Sequence, residues 1–228
     1  DAPPAADLAA LREFEQRHGV ELYLQSGGLD TVTPLSPPAT PLRYELDGLA
    51  AGIEFAPTDF VQVNGELNRR MIGRALELLE PGPGDTALDL FCGLGNFSLP
   101  LALKVAAVTG IEGDAALVAR ARHRRANAGR NAIGNAEFHA VNLAADVSQA
   151  PWAKGRYDLV LLDPPRVGAR EVLPVIAACG PRRIVYVSCH AGTLARDAGI
   201  LVQEHGYRLA AAGIMDMFPH TSHVESIA

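Results

Sequence analysis

A thiol at the end of one apolar run and a carboxylate at the start of another have the most chemistry to offer in this chain. Residues 184–190 read Ile-Val-Tyr-Val-Ser-Cys-His, a strand pattern that delivers Cys189 at its carboxyl end. Lone cysteines usually pack as small apolar groups, and Cys179, inside a helical pattern, is read that way. Cys189 is read differently, because the carboxyl ends of parallel strands form the rim where ligands bind, and a thiolate there is a nucleophile for covalent catalysis. Near the end, residues 216–226 carry Glu225 at the start of a last strand, from which its carboxylate can point back over the same rim as a candidate base. His220 and His223 have no third ligand at a plausible spacing, so no metal site is expected.

A second constellation lies earlier, in Leu-Asp-Leu-Phe-Cys-Gly-Leu-Gly-Asn-Phe at residues 88–97. An apolar strand carrying Asp89 breaks into a glycine turn and re-enters a helical pattern, and Gly93 and Gly95 let a ligand approach backbone there. A dinucleotide fingerprint wants a third small residue three places after the second glycine, a position held by Ser98. The following helix start can accept pyrophosphate, but Asp89 would repel phosphate and suit a cationic amino-acid group. The next strand ends in Glu112, about 20 positions beyond the loop, where an acid accepts both ribose hydroxyls. S-adenosylmethionine fits this set better than NAD.

A third feature is the strand 157–162, which runs into Asp163-Pro164-Pro165-Arg166. Two prolines lock φ and remove donors, making a rigid rim, and Asp163 is expected to face the site. Amine-methylating enzymes often carry Asn-Pro-Pro-aromatic here; Asp first and Arg last disfavour exocyclic amine chemistry.

Positioning these groups requires alternating elements. Residues 5–18 form an amphipathic helical pattern ended by Gly19. Short β-like pieces at 20–24, 29–32, 43–46 and 52–55, separated by turns rich in Gly, Pro and Ser, predict a small antiparallel subdomain. After a hinge at 57–64, Leu67, Met71, Ala75, Leu76 and Leu79 have helical spacing. Strands are then expected at 86–90, 106–111, 137–141, 157–162, 184–188 and 207–215, and helices at 97–104, 115–128, 171–179 and 193–205. Such alternation means a parallel sheet with helices on both faces.

Composition sets the bounds. The chain has 228 residues, 48% of them hydrophobic, enough for one full core with a small appendage. Its longest apolar runs are of strand length, far short of a membrane span. Three cysteines without metal-ligand spacing suit a reducing compartment, and the expected location is the cytoplasm. No signal peptide is visible, and the start at Asp1 suggests a fragment. A net charge of −6 argues against gripping nucleic acid by bulk electrostatics alone. Arg120, Arg122, His123, Arg124, Arg125 and Arg130 crowd one predicted helix, readable as an RNA track or as a solvated face.

Asp59-Phe-Val-Gln-Val-Asn64, the loop 88–97, Leu162-Asp-Pro-Pro-Arg166, Val187-Ser-Cys189 and Met217-Phe-Pro-His-Thr221 with His223-Val-Glu225 together resemble the RNA uracil-C5 methyltransferases. The ending is most similar to the 23S rRNA branch of that family rather than the tRNA branch. The resemblance covers nearly the whole chain. It implies an α/β fold, a Rossmann-like class I S-adenosylmethionine-dependent methyltransferase sheet at 58–228 with a small N-terminal α+β subdomain at 1–57. It further implies that Gln62, Phe91, Asn96, Glu112, Asn142 and Asp163 hold the methyl donor, that Cys189 is the nucleophile and Glu225 the base, and that Phe60 and Gln62 lie near the target base. A monomer acting on 23S rRNA, with no membrane partner, is the expectation. The family usually reads Ser-Cys-Asn-Pro where this chain has Ser-Cys189-His190-Ala191. The family's OB-like domain and its cysteine cluster for an iron–sulfur centre have no counterpart in these residues, as expected of a catalytic fragment. Rival readings are a tRNA uracil-C5 enzyme, an RNA cytosine-C5 enzyme, which generally has a second cysteine after the Asp-Pro-Pro proline, and an RNA-binding module with a decayed site.

Overall fold

A run such as Leu159–Leu162, with no polar side chain on either face, must be covered on both sides. In the computed structural model, which describes residues 3–50, 52–123 and 133–228, all four are buried at the middle of a sheet, as a central parallel strand requires. The chain divides into two compact units, residues 1–43 with 54–61, and residues 44–53 with 62–228.

In the first unit, helix α1 (Ala5–His18) ends where Gly19 turns left-handed at φ 62° and returns its N–H to the Glu15 carbonyl. The buried Glu15 carboxylate accepts from the Leu22 N–H at 2.7 Å and from the Ser36 hydroxyl, fastening the helix to the segments that follow. Strands β1 (Tyr23–Leu24) and β2 (Thr33–Pro34) pair antiparallel. The strand expected at 29–32 is instead a 3-10 turn, Leu29–Thr31. The Thr31 hydroxyl donates to the Gly28 carbonyl at 2.7 Å and accepts from the Gly27 N–H at 2.9 Å, a local bonding pattern that competes with a ladder. β3 (Leu42–Tyr44) and β4 (Ile53–Phe55), of which Tyr44 and Ile53 are counted with the second unit, form a second two-stranded ladder.

The second unit opens with α2 (Gly65–Leu79), whose N-cap Asn64 accepts from the Leu67 N–H at 3.1 Å, a cap worth about 1 kcal/mol. Asn68, Met71, Ile72, Ala75 and Leu79 form its buried stripe; all but Asn68 are apolar, and the helix packs against β9. The sheet order is β10-β11-β9-β8-β5-β6-β7, with β5 (Thr86–Leu90), β6 (Ala107–Glu112), β7 (Ala136–Ala140), β8 (Leu159–Leu162) and β9 (Arg183–Ser188) parallel. β10 (Gly213–Met215) and β11 (Glu225–Ile227) are antiparallel to their neighbours. Helices α3 (Ser98–Ala102), α4 (Ala115–His123), α5 (Leu173–Cys179) and α6 (Ala191–His205) fill the connections.

Several elements are shorter than the residue patterns predict; the expected strand 157–162, for instance, is Leu159–Leu162 alone. The expected strand 207–215 is β10 alone, because Gly213 already pairs with Ile227 and earlier residues find no partner on β11. The helix expected at 97–104 closes early, as the Lys104 N–H turns back to the Leu101 carbonyl. Of residues 20–24 only Tyr23 and Leu24 form strand, with the Leu22 carbonyl accepting from the Leu35 N–H at 2.9 Å beside it. Helix α4 is described to His123; the expected continuation to Ala128, with Arg124 and Arg125, and Arg130 beyond it lie outside the described residues. Among the described residues no helix is long and apolar enough to cross a membrane.

Candidate active site

The chain runs from β5 outward through β6 and β7 in one direction, then returns to the other side of β5 for β8 and β9. The connections therefore part at the carboxyl end of β5 and β8, which opens a crevice there. Six of the sequence-predicted residues sit along that edge: Phe91 and Asn96 in the loop after β5, Glu112 at the end of β6, Asn142 after β7, Asp163 after β8 and Cys189 after β9. Glu225 reaches the same edge from the opposite direction. Ser226 pairs with Ser188 and Ile227 with Val187, so one further step sets Glu225 opposite Cys189. Gln62 belongs to this unit, just before α2. Phe60 belongs to the first unit, where its ring is exposed.

The glycine loop is held from three sides. Phe91 adopts φ 63°, and Gly93 and Gly95 follow at 52° and 89°. A left-handed non-glycine residue is uncommon and marks a tightly constrained turn. Glu112 Oε2 accepts from the Gly93 N–H at 3.0 Å while Oε1 accepts from the Asp114 N–H at 2.9 Å. Asn96 exchanges two hydrogen bonds with Asn68, Nδ2 to Oδ1 each way at 2.9 Å, and its Oδ1 also accepts from the Tyr44 hydroxyl at 3.3 Å. Asn142 Oδ1 accepts from the Ala144 N–H at 3.0 Å.

Carboxylates crowd this edge. Asp89 is fully buried and accepts from the Ser98 hydroxyl. Burial, opposed by Ser98 and reinforced by Glu112, pushes its acid up to about 7. Asp163 is raised to about 8 by burial and by the charges of Glu225 and Asp89. Burial also raises Glu225, against the nearby His223. The Cys189 thiol is pushed up by burial and the Glu225 charge, and pulled back by Arg166. A cation in the crevice would relieve all four groups, whereas a pyrophosphate would oppose them. Two buried acceptor oxygens, Gln62 Oε1 and Asp89 Oδ1, have no protein partner. Buried acceptors without donors are costly; a ligand carrying N–H or O–H groups and a positive charge suits these residues.

The turn bearing Cys189 is fixed by side chains the residue patterns did not single out. The Ser188 hydroxyl accepts from the His190 N–H and donates to the His190 carbonyl, both at 3.1 Å. The Ser226 hydroxyl donates to the Ser188 carbonyl at 2.9 Å. His190 caps α6 through Nδ1, which accepts from the Thr193 N–H at 3.2 Å. The Asp163–Ala169 segment is pinned to α6. Fully buried Asp197 accepts from the Ala169 N–H at 2.8 Å, the Tyr186 hydroxyl at 2.7 Å and Arg196 Nε at 2.7 Å. Arg196 also donates to the Val167 carbonyl at 2.9 Å. The only sequence signal for Asp197 and Asn68 was a short polar side chain on an otherwise apolar helical stripe.

Fold and edge define a Rossmann-like methyltransferase unit with a thiol and a carboxylate at the adjoining ends of two neighbouring strands. Residues 45–227 match the family described as tRNA (Uracil-5-)-methyltransferase, and the chain belongs to that family. It is 56% identical over 223 residues to a 23S rRNA (uracil(1939)-C(5))-methyltransferase RlmD of Stenotrophomonas maltophilia, covering 98% of this chain and 50% of the relative. An RlmD of Xanthomonas axonopodis is 54% identical, covering 97% of this chain and 49% of that one. The chain thus spans about half the length of the curated relatives it matches. Among solved structures, the tRNA (uracil-54, C5)-methyltransferase of Pyrococcus abyssi, in complex with S-adenosyl-L-homocysteine, aligns with TM-score 0.71 and 27% identity over 91% of this chain and 50% of its own. M. jannaschii TYW2, at 15% identity, TM-score 0.62 and coverage of 91% and 90%, shares the fold.

Proposed function

We propose that this chain carries the catalytic centre of a uracil-C5 methyltransferase acting on 23S rRNA, with S-adenosyl-L-methionine as methyl donor. The observation that carries the reading is the strand register that sets Glu225 opposite Cys189, at an edge whose buried acceptors and carboxylates suit a cationic nucleoside. The curated relatives at 54–56% identity, named for 23S rRNA, favour that RNA over tRNA. Gln62, Phe91, Asn96, Glu112, Asn142 and Asp163 are the proposed ligand-holding set, and Phe60 and Gln62 the proposed contacts to the target base. The chain is read as residues 1–57 leading into a catalytic part at 58–228, and as a monomer working in the cytoplasm.

The steps follow from what each residue can do. The target uracil leaves its stack, at a cost of a few kcal/mol. The Cys189 thiolate adds to carbon 6, forming a C–S bond and moving the ring's π electrons onto carbon 5 and the carbonyl oxygen as an enolate. S-adenosyl-L-methionine would supply an electrophilic methyl group, which carbon 5 takes as the bond from the methyl carbon to the sulfonium sulfur breaks, leaving S-adenosyl-L-homocysteine. The Glu225 carboxylate then takes the carbon-5 proton, the C–S bond breaks, and the double bond returns as the Cys189 thiolate leaves.

The test is denaturing electrophoresis of the chain and its variants with a uridine-bearing 23S rRNA fragment and S-adenosyl-L-methionine. Glu225→Gln is expected to accumulate a slower, covalent protein–RNA band, while Cys189→Ala gives neither band nor 5-methyluridine. A band from Cys189→Ala would overturn the nucleophile assignment. Methylation of tRNA in place of rRNA would overturn the substrate.

A further inference from the structure

We propose that Asn68 is a positioning residue for the methyl-donor site: with Tyr44, it fixes the Asn96 amide so that Asn96 offers the ligand only an N–H donor. The inference rests on the functional reading above and adds to it a residue that reaches the ligand through another.

Asn68 is 2% exposed on a helix stripe whose other members are Met71, Ile72, Ala75 and Leu79. A primary amide costs free energy in such surroundings unless its polar atoms are bonded. Here its partner is specific. Asn68 Nδ2 donates to Asn96 Oδ1 and Asn96 Nδ2 donates back to Asn68 Oδ1, each at 2.9 Å. Two amides locked face to face in this way have a single relative orientation. The Tyr44 hydroxyl adds a second donor to Asn96 Oδ1 at 3.3 Å.

Counting capacity gives the consequence. An amide oxygen accepts twice and an amide nitrogen donates twice. Both acceptor sites of Asn96 Oδ1 are taken by Asn68 and Tyr44, while one of the two Nδ2 hydrogens goes to Asn68. What remains is one N–H, in a loop whose backbone is already fixed by Gly93 and Gly95 at positive φ and by the Glu112 carboxylate. Asn96 therefore meets an acceptor atom of the ligand, such as a carboxylate or ribose oxygen. The buried Gln62 Oε1 and Asp89 Oδ1 meet its donors. Without Asn68, the Asn96 side chain regains rotamer freedom and can present its oxygen as readily as its nitrogen.

The experiment is a double-mutant cycle on ligand affinity, by calorimetry with S-adenosyl-L-homocysteine on the intact chain. Asn68→Ala and Asn96→Ala are each expected to weaken binding by about tenfold, and the double variant no more than Asn96→Ala alone, since residues acting through one contact are not additive. Tyr44→Phe should cost about threefold. Asn68→Leu, which keeps the side-chain volume, repeats the cycle if the alanine variant does not fold. Multiplying losses in the double variant, or unchanged affinity in a folded Asn68 variant, would overturn the proposal and leave Asn68 as a purely structural group. Absence of binding by the unaltered chain would instead overturn the methyl-donor reading on which the cycle depends.

Discussion

Replacing Glu225 by Gln should make Cys189 more reactive as a thiol even while turnover is lost. Directly opposed residues on antiparallel strands have Cβ atoms about 5 Å apart, and continuing the register one step beyond Ser226 and Ser188 brings Glu225 and Cys189 to that relation. Two unit charges at that distance interact by about 3 kcal/mol at an effective dielectric of 20 and by about 0.8 kcal/mol in water. Cys189 is partly exposed, so about 1.4 kcal/mol is a fair middle value, a tenfold gain in thiolate at a fixed pH below its titration. A less basic thiolate is also a weaker nucleophile, with a Brønsted slope near 0.45, which returns about a factor of three. The net expectation is an attack on an aromatic disulfide about threefold faster at pH 7.5. The assay follows release of the aromatic thiol, with peptide mapping to assign it to Cys189; Cys92 and Cys179 are buried. Asp163→Asn should produce a smaller gain, and Arg166→Ala a loss, since Arg166 is the cation that pulls the thiol down. A rate in Glu225→Gln equal to or below that of the parent chain would refute the cross-strand placement of charge.

Stability should fall as pH rises through the neutral range in the absence of ligand. Asp89 and Asp163 titrate near 7 and 8 in the folded chain, against about 3.9 for an unperturbed aspartate. The folded state thus holds more protons than the unfolded one between those limits, and the stability present at acid pH is lost as pH climbs through 7 to 8. The melting temperature is expected to be lower at pH 8.5 than at 5.5, with a flatter profile for Asp163→Asn; a rising profile would contradict it. Asp197→Ala, which strands the Ala169 N–H, the Tyr186 hydroxyl and Arg196, should cost about 3 kcal/mol in chemical denaturation, and a loss under 1 kcal/mol would show that the pin is slack. Glu112→Ala should weaken S-adenosyl-L-homocysteine at least tenfold in calorimetry, because it removes the proposed hydroxyl acceptor and frees the Gly93 N–H together; unchanged affinity would remove Glu112 from the proposed set.

Local chemistry explains which parts of this fold announce themselves. Thr86–Leu90 was readable to the residue because an apolar strand buried on both faces leaves no alternative for such a run. Cys189 follows the apolar run of β9 for the same reason, whereas Glu225 opens a short strand, Glu-Ser-Ile, that has no such apolar run. Their mutual register was not readable, since it depends on which residue of β11 meets which residue of β9, and no local pattern encodes that. Thr31 shows the opposite failure: Leu-Asp-Thr-Val has strand-like composition, but a single hydroxyl closes the turn. The Asn68–Asn96 pair joins residues far apart in sequence through two short amides. Neither amide has a periodicity to betray it beyond one polar interruption in the α2 stripe.

The order of the sheet carries a consequence for how such a unit diversifies. β5, β6 and β7 lie on one flank and supply the glycine loop, Glu112 and Asn142; β8, β9 and β11 lie on the other and supply Asp163, Cys189 and Glu225. On the proposed reading the methyl-donor set reaches across both flanks, Asp163 joining the glycine loop, Glu112 and Asn142, while the thiol and carboxylate of the acceptor side stay on one flank, and the two meet along the seam between β5 and β8. On that reading, an insertion between β9 and β11 would alter the side that meets the target ring while leaving the β5-β6-β7 order in place. The final antiparallel pair, at the sheet's outer margin, thus brings the Glu225 carboxylate to this edge from outside the parallel strands.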